Sequence, residues 1–127
     1  MGEHVQLYVL ESGIHHFVWF NNSRDAVYDQ SAYYKDINAR LSHGETILLL
    51  IDLRQAGAPP FRVLSDVIGK SGMRNDVNYR TAYLSDDNIV PILMKNFVVA
   101  NRISGNRGFF KSDEEDEAKM WLLETDQ

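Results

Sequence analysis

The sequence predicts an α/β domain on a mixed four- or five-stranded sheet, and three observations carry that expectation. Thr46-Ile47-Leu48-Leu49-Leu50-Ile51 is a near-continuous apolar run; as a strand with no polar face it requires cover on both sides, as in the middle of an α/β sheet. Two runs rich in β-branched and aromatic residues, 5–10 and 14–20, flank Glu11-Ser12-Gly13 and predict an antiparallel hairpin. Segments with apolar residues at helical spacing separate the later extended runs, and that alternation calls for crossover helices between parallel strands.

Each element follows in order. Phe17-Val18-Trp19-Phe20 is apolar on both strand faces, which places the second strand inside the sheet. Asn22 or Ser23 can cap a helix over 24–41, where Val27, Tyr34, Ile37 and Leu41 form a stripe and Gly44 supplies a stop. The central strand covers 46–53. Pro59-Pro60 then permits a turn and a helix start, Phe61, Leu64 and Ile68 face the sheet, and Lys70-Ser71-Gly72 ends the helix. Over 77–84, Val77, Tyr79, Thr81 and Tyr83 alternate with Asn78, Arg80 and Ala82, a strand with one more polar side. Ser85-Asp86-Asp87-Asn88 turns the chain and offers acidic caps, so that Pro91 falls in a first helical turn and Ile89, Leu93, Phe97 and Ala100 face inward. Gly105 and Gly108 bracket a short strand over 107–110. Ser112-Asp113-Glu114-Glu115 matches a capping box for a last helix that buries Ala118, Trp121 and Leu122. The order is ββαβαβαβα, in a single domain over residues 1–127.

Composition narrows the function. The 127 residues are 44% hydrophobic and 24% charged, and the formal net charge of −5 opposes broad phosphate-backbone binding, so nucleic acid is not an expected partner. There is no cysteine, which removes disulfides, thiolate nucleophiles and thiolate metal sites and favours a cytoplasmic setting. No apolar run is long enough for a transmembrane segment, and Met1-Gly2-Glu3-His4 does not open a signal peptide.

Candidate chemistry is sparse. His15 and His16 are neighbours in a strand, so they point to opposite faces and cannot share a metal. Ser65-Asp66 and Ser85-Asp86-Asp87 lack the nucleophile elbow and the ordered base that acyl chemistry needs. Gly69-Lys70-Ser71 has the tail of a phosphate loop without its upstream glycine. Arg102, Arg107 and Lys111 surround Phe109-Phe110, but adjacent strand aromatics face opposite sides of a sheet. Asp52, at the carboxyl end of the central strand, sits where α/β ligand sites occur, or else caps amides of the following loop. Tyr28, Tyr33 and Tyr34 with Phe61, Met73 and Met94 can line an apolar groove.

The hairpin, the helix, Ile47-Leu48-Leu49-Leu50-Ile51-Asp52-Leu53, the loop into Pro60-Phe61, the strand carrying Arg80-Thr81-Ala82-Tyr83-Leu84, and the ending Arg107-Gly108-Phe109-Phe110 with Asp116-Glu117-Ala118-Lys119-Met120-Trp121-Leu122 together resemble the STAS-like family. The resemblance is to bacterial domains similar to anti-sigma-factor antagonists and covers nearly the whole chain. It implies a noncatalytic cytoplasmic regulatory or protein-interaction module, working without a cofactor and through a protein partner, with Asp52, Arg54, Gly57, Pro59, Pro60 and Phe61 at its surface. In phosphorylation-regulated members a serine lies at this loop. Here Gly57-Ala58-Pro59-Pro60 has no hydroxyl and Ser65 lies within the helix, so no phosphoswitch is expected at that site. The alternative is a binding protein for a small apolar or amphipathic ligand held near Tyr34, Phe61 and Phe97.

Overall fold

A computed structural model describes residues 3–68, 73–101 and 105–124. The expected helix end at Lys70-Ser71-Gly72, the Gly69-Lys70-Ser71 segment and Arg102 lie outside the described residues. Five strands, β1 (Val5–Val9), β2 (Ile14–Trp19), β3 (Thr46–Asp52), β4 (Asn78–Leu84) and β5 (Asn106–Phe110), alternate with helices α1 (Arg24–Arg40), α2 (Phe61–Val67), α3 (Ile89–Asn101) and α4 (Glu115–Leu123) in the expected order. The sheet runs β1-β2-β3-β4-β5, antiparallel between β1 and β2 and parallel from β2 onward. β3 is therefore central and β2 internal, as their two-sided hydrophobicity requires.

The strand order never reverses. Crossovers between parallel strands are right-handed, so a sheet that always grows in the same direction places all its crossover helices on one face. Residues of α1, α2 and α3 accordingly share one core with Ile47, Leu49 and Ile51. The opposite face of β3, Leu48 and Leu50, packs with Ala82, Leu84, Ala118 and Leu122 under α4. Gly108 of β5 makes room for that helix: a Cβ there would meet Phe110 Cε2 at 2.8 Å and Trp121 at 3.3 Å.

Local grammar fixes the helix ends. Ser23 Oγ accepts from Ala26 N at 3.2 Å and starts α1. Asp87 Oδ1 accepts from Ile89 N at 3.1 Å, which puts Pro91 in the first turn of α3. At the other end of α1, Arg74 donates to the carbonyls of Asn38 and Leu41, and Tyr79 Oη donates to Asn38 Oδ1 at 2.8 Å.

Three expectations are corrected. The inward stripe of α3 is Val90, Met94 and Phe97, while Ile89 is exposed and Ala100 faces outward. The helix is apolar almost all round, so periodicity leaves its rotation open and only Lys95-Asn96 marks the outer face. The polar side of β4 is not wet: Arg80 is 8% exposed, with its guanidinium 3.9 Å from the centroid of the Trp121 ring and two donors on Trp121 O. The capping box does not form. Glu114 is the N-cap but its side chain accepts from Lys111 N rather than from the helix, Ser112 N donates to Asp86 Oδ1, and Glu115 is drawn to Arg54 and Lys119.

Leu49, 1% exposed between the sheet and the three-helix layer, tests the architecture. Leu49→Ala is expected to cost about 2–5 kcal/mol in equilibrium urea unfolding, the range for a buried leucine whose site collapses incompletely. A change near zero would contradict the central position of β3.

Candidate functional site

The residues singled out in the sequence divide between the two faces and one rim of the sheet. Asp52 closes β3, and strand alternation turns it toward the α4 face with Leu48 and Leu50. It is 4% exposed. Its Oδ1 accepts from Arg54 N at 3.1 Å and Nε at 2.9 Å, and its Oδ2 from Arg54 Nη2 at 2.6 Å. This is the capping role foreseen for Asp52, strengthened by a forked guanidinium contact. His16 Nε2 lies 3.4 Å from Oδ2, because His16 of the neighbouring parallel strand shares the face.

Arg54 carries the cluster onto α4. It donates to Ser112 O at 3.1 Å and to Glu115 Oε1 at 2.6 Å, and Lys119 holds the other Glu115 oxygen at 2.7 Å. Burial acts to raise the Asp52 pKa, but hydrogen bonds from His16 and Arg54 outweigh it and hold the carboxyl well below its ordinary range. Every charge in this cluster has a partner, so its chemistry is that of a clamp.

The remaining loop residues build the rim around it. Ala56 N and Gly57 N donate to Leu53 O at 3.2 and 2.9 Å, and Gly57 takes φ +76°, which favours glycine. Pro60 precedes α2 without a side-chain cap, and Phe61 packs partly buried against the three-helix core. Neighbouring loops are tied to this one. Asn22 Nδ2 donates to Ala58 O at 3.1 Å, Ser112 N to Asp86 Oδ1 at 2.9 Å, Lys111 Nζ to Asn88 Oδ1 at 2.7 Å, and Ser85 N to Phe110 O at 3.0 Å. All four loops at the carboxyl ends of the parallel strands are thus joined.

Tyr34, Phe97 and Pro59 belong elsewhere. They line a cavity of about 40 Å³ between the sheet and the helices α1 to α3. Trp19, Gln30, Tyr83 and Arg107 give it a polar wall, a grouping that the sequence did not suggest. Trp19 Nε1 donates to Gln30 Oε1 at 2.8 Å, whereas Gln30 Nε2 is buried without a hydrogen-bond partner. Burial pushes the phenols of Tyr34 and Tyr83 up, and Tyr83 is also hydrogen-bonded to Arg107. Gln30 lies on the stripe Val27, Tyr34, Ile37, a face that also buries the polar Ser31 and Asn38. Tyr83 was read only as a strand residue and Arg107 only as part of a basic group around Phe109-Phe110; β4–β5 pairing brings them to the cavity.

Among the described residues no group of three or more His, Cys, Asp or Glu is placed to hold a metal, and no helix is long and apolar enough to cross a membrane. Fold and site define a small α/β domain with a one-directional sheet, a clamped rim and a small internal cavity. Comparison with protein-family models and with curated proteins gives no match. Among solved structures, the crystal structure of O-ureido-L-serine synthase is similar over 93% of this chain and 35% of that chain, at 9% identity and a TM-score of 0.36. A likeness at that level carries no argument.

The clamp makes a pH prediction. A carboxyl whose folded pKa is depressed contributes stability above its unfolded pKa of about 3.9, and that contribution is lost as pH falls through the folded value. Asp52→Asn is expected to cost about 1–3 kcal/mol at pH 7, since it leaves Arg54 with a weaker acceptor. The gap between wild type and variant should narrow from pH 7 to pH 3 in urea titrations. A gap independent of pH would show that the Asp52 charge contributes nothing.

Proposed function

We propose that the protein is a noncatalytic, cytoplasmic regulatory or protein-interaction module that docks a protein partner on the clamped rim. The observation that carries this reading is the mutual locking of the four rim loops. A surface ordered before binding loses little conformational entropy on binding, whereas a catalytic centre needs unsaturated groups that this rim lacks. The STAS-like resemblance supports the same role, with Asp52 and Arg54 holding the loop and Gly57, Pro60 and Phe61 shaping it. The absence of a hydroxyl from 57–60 supports a surface that is constant rather than switched by phosphate.

The rim has a sign. Asp86, Asp87, Asp113, Asp116 and Glu117 are exposed along it, which favours a partner with a basic face. Asp113 and Glu117 lie outside the clamp, so reversing both, Asp113→Lys with Glu117→Lys, leaves the fold's polar contacts in place. The double variant is expected to bind an isolated partner at least about tenfold more weakly at low salt, a loss of about 1.4 kcal/mol, with the deficit shrinking as salt rises. Undiminished binding, with loss instead on Val99→Glu of the exposed α3 face, would move the docking site off the rim.

A second reading, a binding protein for a small apolar or amphipathic ligand, is favoured by one observation: the unpartnered Gln30 amide in the cavity wall. Native mass spectrometry of freshly purified protein separates the two, since a stoichiometric small molecule supports the ligand reading and none is expected from the docking reading.

A further inference from the structure

We infer that the cavity between the sheet and helices α1 to α3 is a site for the carboxylate head of a small amphipathic acid, with Gln30 Nε2 as its donor. The inference rests on the ligand reading and adds the chemistry of the ligand. Gln30 is 1% exposed. Its orientation is fixed, because the Trp19 indole is only a donor and therefore requires the amide oxygen. The amide nitrogen, with two N–H groups, makes no hydrogen bond of good geometry; the Tyr34 hydroxyl interacts with it without completing it. A buried donor left unmade is destabilising, a penalty that an acceptor in the cavity removes.

The rest of the wall selects the sign of that acceptor. Arg107 brings a guanidinium to the cavity, where it serves Gly105 O at 3.2 Å and the Tyr83 hydroxyl. The two buried phenols keep their protons, so they add hydroxyl dipoles and no negative charge. Among the described residues no acidic side chain lines the cavity. An anionic oxygen thus meets donors and a cation, whereas an ammonium group would meet the same cation with no counter-charge.

Size divides head from tail. About 40 Å³ is roughly three times the 10–15 Å³ that a cavity needs to hold one water, enough for a carboxylate and too little for a chain. The tail direction is apolar, along Leu64, Ile68, Met73 and Met94, and the two methionines can change rotamer to admit it.

The test is a titration of the full chain with sodium hexanoate and, separately, 1-hexanol, followed by proton–nitrogen NMR of the Gln30 side-chain amide and the Trp19 indole. The two probes share a tail and differ in the head. Expected are saturable shifts at both resonances and a Kd for hexanoate at least about tenfold below that for hexanol, the scale of a charge-assisted hydrogen bond. Arg107→Met and Gln30→Met should each bring the two affinities together while hexanol binding stays within about twofold, and one folded variant suffices. Equal affinities in the wild type would overturn the carboxylate assignment and leave the ligand reading standing. No response to either probe, the behaviour of an amide served by water alone, would overturn both. Shifts that bypass Gln30 and Trp19 would place the binding elsewhere and overturn the assignment.

Discussion

The rest of the structure depends on the need to cover β3 on both faces. Leu48 and Leu50 point one way and Ile47, Leu49 and Ile51 the other; all are buried except Leu48, which is partly so. Crossover helices meet only half of that need. Because the strands are laid down in one direction, right-handed connections bring α1, α2 and α3 to the same side. The second cover has to come from the helix after the last strand. α4 is a single helix of nine residues with only Ala118 and Leu122 fully buried, a modest apolar area to hold it in place. Two arginines make up the difference. Arg54 grips its first turn through Glu115 and the Ser112 carbonyl, and Arg80 satisfies the Trp121 carbonyl at its end. Both positions are favourable, since Arg80 places a cation at the negative end of the helix and Arg54 is neutralised by two carboxylates.

The same topology removes the usual α/β ligand crevice. Such crevices open where the strand order reverses and neighbouring loops diverge to opposite faces. Here there is no reversal, so the loops at the carboxyl edge stay together and bond to one another. Asp52 occupies the position where a functional carboxylate is expected in this class of sheet, yet its lone pairs are spent on Arg54 and His16. The edge has become a scaffold, and the buried polar atoms left unpaired among the described residues, Gln30 Nε2 and His15 Nδ1, lie away from it.

What was legible in the sequence follows from which forces are local. The hairpin, the central strand and the order of elements were readable because turn chemistry and two-sided burial leave their mark on adjacent residues. The Asp52 loop cap was readable for the same reason, since its partner amide is two residues away. The rotation of α3 was not, because Val90-Pro91-Ile92-Leu93-Met94 is apolar on every side and the sheet chooses among equivalent faces. Arg80 read as solvent-facing because alternation shows only that a side differs; Trp121, forty-one residues later, decides what covers it. The capping box failed for a related reason. Glu115 has a local use at the helix start, but Arg54 from a distant loop offers it a stronger charged partner. His16 next to Asp52 needed the β2–β3 register, which no single segment encodes.

The contrast between rim and cavity separates stabilising from binding groups. At the rim, charges that would be costly alone are each paired, and the resulting bonds hold two loops and a helix together. In the cavity, a buried amide is kept polar and half used. A glutamine chosen for packing alone would be a poor choice at 1% exposure, and one chosen solely to serve the Trp19 indole would still waste its nitrogen. The asymmetry matters because the indole bond fixes the amide without completing it. Trp19 thereby acts as the positioning residue for a donor aimed into the core, and the stability forgone at Gln30 is the amount an incoming acceptor can recover on binding.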